Sequence, residues 1–136
     1  MQTTNKFPPN YEAIKKAFPA CEWKACFCYG DTIYNPFQIK LTPDLCEHEE
    51  VHSKRQGNNP ELWWEKYISD PIFRLDEEIA AFSRQYEVMK PLFTNKGNKA
   101  FLTQIAKALS SDVYGNIITL QEAESRVRNF AKKNVV

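Results

Sequence analysis

Apolar residues recur with a helical period through the second half of this chain and alternate like strand residues near its start. Ile72, Leu75, Ile79, Phe82, Tyr86, Met89 and Phe93 follow one another at steps of three and four. That spacing keeps one face of a helix apolar and predicts a helix over 71–93. Tyr11, Ile14, Ala17 and Phe18 share a face in the same way and predict a helix over 10–18, after the Pro8–Pro9 pair and before Pro19. Runs at 24–29 and 33–41, parted by Gly30 and Asp31, read as a β-hairpin over 24–41. Pro36 cannot donate to a ladder, so it marks an edge or a break in the second run.

Three further starts share one chemistry. Thr42-Pro43, Asn59-Pro60 and Asp70-Pro71 each set a capping side chain before a proline. Proline is tolerated in the first helical turn, where its missing N–H has no partner to lose. Helices are therefore expected at 43–56, 60–69 and 71–93, with Gly57 and Gly97 stopping the first and third. A further helix is expected from about Asn98 to Ser110, and a last one at 120–133, where Thr119 and Glu122 have capping-box spacing. The pattern is α+β and mostly helical, a small hairpin followed by a helical bundle, in a single domain over 1–136.

Composition narrows the classes. The 136 residues are 43% hydrophobic and 26% charged, the balance of a globular domain. Eighteen basic against seventeen acidic residues leave a net charge of +1, which argues against a nucleic-acid or anionic-membrane partner. No apolar run approaches the roughly 20 residues of a membrane span, and the first residues lack the apolar core of a signal peptide. Cys21, Cys26, Cys28 and Cys46 lack the paired spacing of structural zinc sites, so reduced thiols packed in the core are expected. Lys54, Arg55, Arg126, Arg128, Lys132 and Lys133 read as scattered solvated charge. Trp63, Trp64 and Tyr67 form an aromatic group on the 60–69 helix, either core packing or the wall of a cleft. Of two adjacent tryptophans on a helix, one is expected to be partly exposed.

The chemistry lies in the only two histidines. His48-Glu49-Glu50-Val51-His52 is an H-E-x-x-H motif. Residues four apart share a helix face, so both imidazoles can address one ion while Glu49 reaches the water beside it. Zinc in such a set polarises a carbonyl and acidifies water, and Glu49 takes the proton as general base. With no third histidine in the chain, the remaining ligand is expected to be a carboxylate. The 71–93 helix offers Asp76, Glu77 and Glu78. At about 100° per residue, Glu77 points away from the apolar stripe, Glu78 lies on one flank, and the shorter Asp76 lies on the other. Glu78 is thus the preferred ligand and Asp76 the weaker candidate. The alternative for Glu78 is an i−4 surface ion pair with Arg74, and Arg74 can instead orient the ligand carboxylate from behind.

HEEVH followed by Glu78-Ile79-Ala80-Ala81-Phe82 resembles the gluzincin pattern, H-E-x-x-H and then a helix bearing E-x-x-A. The stretches YGDTIYNP (29–36), LTPDLCEHEEVHSKRQG (41–57), WWEKYISDPIFRLDEEIAAF (63–82) and LSSDVYGNIITLQEA (109–123) are similar to small phage-encoded metallopeptidase-like proteins. The resemblance implies a minimal zincin-like fold, zinc on His48, His52 and Glu78, Glu49 as catalytic base, and hydrolysis of a peptide or protein substrate. It also implies a host-cytoplasm or virion location and possible contact with phage structural proteins. One departure is Glu50, where zincins usually carry an uncharged residue. The alternative is a virion or assembly component that keeps a metallopeptidase-like fold, with or without metal. The small size of the chain for a protease with an extended cleft keeps that alternative open.

Overall fold

A computed structural model describes residues 1–21 and 24–134. The chain divides into two compact units, Met1–Ser69 and Asp70–Val136. Among the described residues the architecture is α+β and mostly helical, with six α-helices and one three-stranded sheet.

The first unit holds the sheet, built from β1 (Gln2–Thr4), β2 (Phe27–Tyr29) and β3 (Thr32–Tyr34) in the order β1-β3-β2. β2 and β3 pair antiparallel, with Cys28 opposite Ile33. Gly30 turns the hairpin at φ +63°, a conformation that costs glycine nothing. The strands are shorter than the expected 24–41. The Asn35 side chain accepts from the Ile39 N–H (3.0 Å) and donates to the Ile39 carbonyl (2.9 Å), folding the chain into a turn that contains Pro36 and ends the strand. β1 pairs parallel with β3 and was not expected from a three-residue polar segment. The helices of this unit are α1 (Tyr11–Ala17), α2 (Pro43–Gln56) and α3 (Pro60–Ser69). Both α2 and α3 have the expected bounds. The Asn59 carboxamide caps α3 by accepting from the Leu62 N–H (3.1 Å), whereas Thr42 makes no side-chain cap to α2. Ile14, Phe27, Ile33, Trp63 and Trp64 are among the buried apolar residues. Both tryptophans are buried, against the expectation that one would be exposed. Trp63 stacks on Tyr67 (4.9 Å, 21°), and Trp64 turns edge-on to it and sends its indole N–H to the Cys28 carbonyl (3.0 Å). That bond satisfies the polar end of a buried ring.

The second unit is α4 (Pro71–Met89), α5 (Asn95–Leu109) and α6 (Leu120–Asn134), joined by single 3-10 turns. Asp70 caps α4 by accepting from the Ile72 and Phe73 N–H groups (3.0 and 3.2 Å). α4 ends earlier than 93 because Pro91 lacks the N–H that the helix requires there, and Lys90–Leu92 is a 3-10 turn. Gly97 is not a stop. It lies in the first turn of α5, and its N–H is held by the Thr94 hydroxyl (3.1 Å). Thr119 accepts from the Glu122 N–H (3.1 Å) and its hydroxyl meets the Glu122 carboxylate (3.1 Å), as the capping spacing predicts. The core joins Leu75, Ile79 and Tyr86 of α4 to Leu102, Ile105, Ala106 and Leu109 of α5 and to Ala123, Val127 and Ala131 of α6. The two ends of the predicted α4 stripe, Ile72 and Phe93, are exposed. Among the described residues no helix is long and apolar enough to cross a membrane.

Two outcomes test this packing. Leu109→Ala removes a fully buried side chain from the three-helix core and is expected to cost about 2–5 kcal/mol in chemical denaturation. In the first unit, Gln56 donates to the Cys28 carbonyl (2.8 Å) and accepts from the Gly30 N–H (2.7 Å). Gln56→Leu leaves that partly buried N–H without its acceptor and the buried Cys28 carbonyl short of one donor, and a loss of about 1–3 kcal/mol is expected in the same assay.

Candidate metal centre

The buried residues of α2 are His48, Glu49, His52 and Gln56, with no apolar residue among them. His48, His52 and Gln56 follow at i, i+4 and i+8 and so stack along one face, with Glu49 one step round from His48. Leu45 and Val51, the aliphatic residues of the helix, are only partly buried. Each polar group on such a face needs a partner. Gln56 finds its partners in the β2–β3 turn. Together with the Trp64 indole it saturates the Cys28 carbonyl, so no further strand can pair with β2 at that point.

Higher on the helix, the two imidazole rings lie 4.9 Å apart and nearly perpendicular (76°). Trp63 packs on His52 at 5.3 Å and limits its rotation. Glu49 is only 6% exposed, and its Oε1 accepts from the Cys26 thiol at 3.5 Å. Among the described residues, one group of histidine, cysteine, aspartate or glutamate side chains can hold a metal ion: His48, His52 and Glu78. Each offers one ligand atom, and these atoms lie within 4.8 Å of one another. Two imidazole nitrogens and a carboxylate oxygen are a donor set that can hold a metal ion.

The other acidic candidates go elsewhere. Asp76 is exposed and bonds the Arg126 guanidinium at 2.7 Å. Glu50 forms an i,i+4 pair with Lys54 (3.3 Å) at the surface, so the departure from the zincin pattern faces solvent. Glu77 is buried, contrary to expectation. The apolar stripe described only one side of α4, whose burial extends over a second side through Arg74, Glu77, Glu78 and Ala81. Arg74 is buried too, and one of its guanidinium N–H groups donates to the Val113 carbonyl (2.7 Å).

Cys26, Cys28 and Cys46 are all free of disulfides, and burial first and the Glu49 charge next raise all three thiols, Cys26 and Cys28 well above the ordinary thiol range. None belongs to the metal-holding group. Sequence reasoning missed Cys26 and Gln56. Extending the His48–His52 spacing by one more step would have found Gln56, but no spacing rule connects Cys26 to Glu49, since the contact depends on how the hairpin docks.

No protein-family model, no curated protein and no solved structure matches the chain.

Removing the Glu49 charge stabilises the thiolates of its neighbours, so their pKa values fall. In Glu49→Gln, alkylation of Cys26 and Cys28 by iodoacetamide at pH 9 is expected to run severalfold faster than in the unaltered protein, with labelling resolved by peptide mass spectrometry.

Proposed function

We propose that this chain is a zinc-dependent hydrolase acting on peptide bonds, with His48, His52 and Glu78 holding the metal and Glu49 serving as general base. The observation that supports this reading most directly is the convergence of those three ligand atoms within 4.8 Å, two of them from the helix that also carries Glu49. When bound, zinc supplies Lewis acidity toward a carbonyl oxygen and lowers the pKa of water.

The work of the chain itself is positional and proton-handling. Trp63 fixes the His52 ring, and the helical repeat sets His48 one turn away. Glu49 accepts a proton from the attacking water at a carboxylate oxygen and returns it to the departing amide nitrogen as the C–N bond breaks. The second hydrogen of the water follows by way of the same carboxylate, so the products are a carboxylate and an ammonium group and Glu49 ends as it began. Burial of Glu49 strengthens that exchange by excluding competing water. Arg74, three and four residues before Glu77 and Glu78 on α4, is proposed to steady the ligand carboxylate. The saturated Cys28 carbonyl means that an extended substrate takes its backbone contacts elsewhere than at that point of β2.

The protein stripped with chelator and then titrated with zinc is expected to take up one equivalent, and His48→Ala is expected to abolish that uptake. Glu49→Gln is expected to keep the zinc and lose about 10²–10⁴-fold in hydrolysis of fluorescein-labelled casein. A protein that binds no zinc contradicts the site. Zinc binding with hydrolysis equal in Glu49→Gln and the unaltered chain contradicts the base and favours a metal-stabilised structural protein.

A further inference from the structure

Most of the polar groups on the buried face of α2 are explained by the fold or by the proposed ion, but Glu49 has one neighbour that neither explains. Cys26 immediately precedes β2, and its Sγ lies 3.5 Å from Glu49 Oε1, within the range of an S–H···O contact. A thiol is an unusual choice for this position. It is a weak donor, and a serine or threonine would bind a carboxylate more strongly. A weak donor holds the direction of a carboxylate while leaving it largely free to take up a proton, and a general base needs both properties.

Resting on the reading of Glu49 as the base, we infer that Cys26 is a positioning residue, whose thiol hydrogen bond keeps the Glu49 carboxylate in its working orientation.

Three features of the structure fit that role. The contact joins residues 23 apart in sequence, so it forms only when the hairpin is docked on α2. The docking is itself fixed nearby, where Gln56 and Trp64 hold the turn and the Cys28 carbonyl. The thiol also stays protonated across the ordinary pH range, because burial and the adjacent carboxylate both oppose its ionisation. It therefore remains a donor at neutral pH.

The test uses the full chain loaded with zinc. The S–H stretch falls in a window free of other protein vibrations, and a hydrogen-bonded thiol absorbs at lower frequency. Glu49→Gln is expected to move the Cys26 band upward, with the band assigned by its loss in Cys26→Ala. An unmoved band overturns the contact. In crystals of Cys26→Ala, zinc is expected to remain bound while the Glu49 carboxylate takes more than one orientation; a single unchanged orientation overturns the positioning role. Against fluorescein-labelled casein, Cys26→Ala is expected to lose roughly tenfold in kcat at unchanged KM. Cys26→Ser is expected to recover part of that loss. Equal kcat in Cys26→Ala and the unaltered chain, or a Cys26→Ser as slow as Cys26→Ala, overturns the proposal. If the unaltered chain cleaves no casein, the hydrolase reading fails by itself, and the infrared shift with the carboxylate orientation still decides whether Cys26 positions Glu49.

Discussion

A helix whose fully buried side chains are all polar must find a partner for each of them. α2 places His48, Glu49, His52 and Gln56 inside and leaves its few apolar residues partly exposed. Every buried polar group on it carries a desolvation cost of about 1–3 kcal/mol unless a partner is supplied, and more if the group is charged. The remainder of the first unit can be understood as that supply. The β2–β3 turn presents an N–H and a carbonyl to Gln56, the residue before β2 presents a thiol to Glu49, and α3 presents the face of Trp63 to His52. A sheet of three-residue strands is too short to stand alone. Here the helix needs the hairpin turn for its polar face, and the hairpin needs the helix and the Trp64 indole for its free carbonyl.

This mutual dependence has a consequence for dynamics. Polar partners of this kind lose nearly all their benefit when moved by an ångström, whereas apolar contacts fade gradually with distance. The register of α2 against the hairpin is thus set more sharply than an apolar stripe would set it. Sharp register is what a site on that helix needs, because an ion or a proton acceptor works only within a few tenths of an ångström of its best position. The second unit works on the opposite principle. Its three helices meet through Leu, Ile, Val and Ala at helical spacing, an arrangement that tolerates small shifts and supplies bulk stability.

That contrast also decides what could be read from the sequence. The helices of the second unit were legible because apolar periodicity is their cause. Their errors came where another rule took over: Pro91 cut α4 short, and Thr94 began α5 before Gly97 could stop anything. α2 was legible for a different reason, its proline start, its glycine end and the four-residue spacing of its histidines. Its burial was not, since polarity ordinarily signals a solvated face. Glu77 failed in the same way, because the apolar stripe on α4 accounts for one buried side and is silent about a second one made of Arg74, Glu77 and Glu78. Both tryptophans could be buried because stacking on Tyr67 and a bond to the Cys28 carbonyl give the adjacent rings separate places. β1 and the Cys26–Glu49 contact depend on long-range docking, which local pattern does not encode.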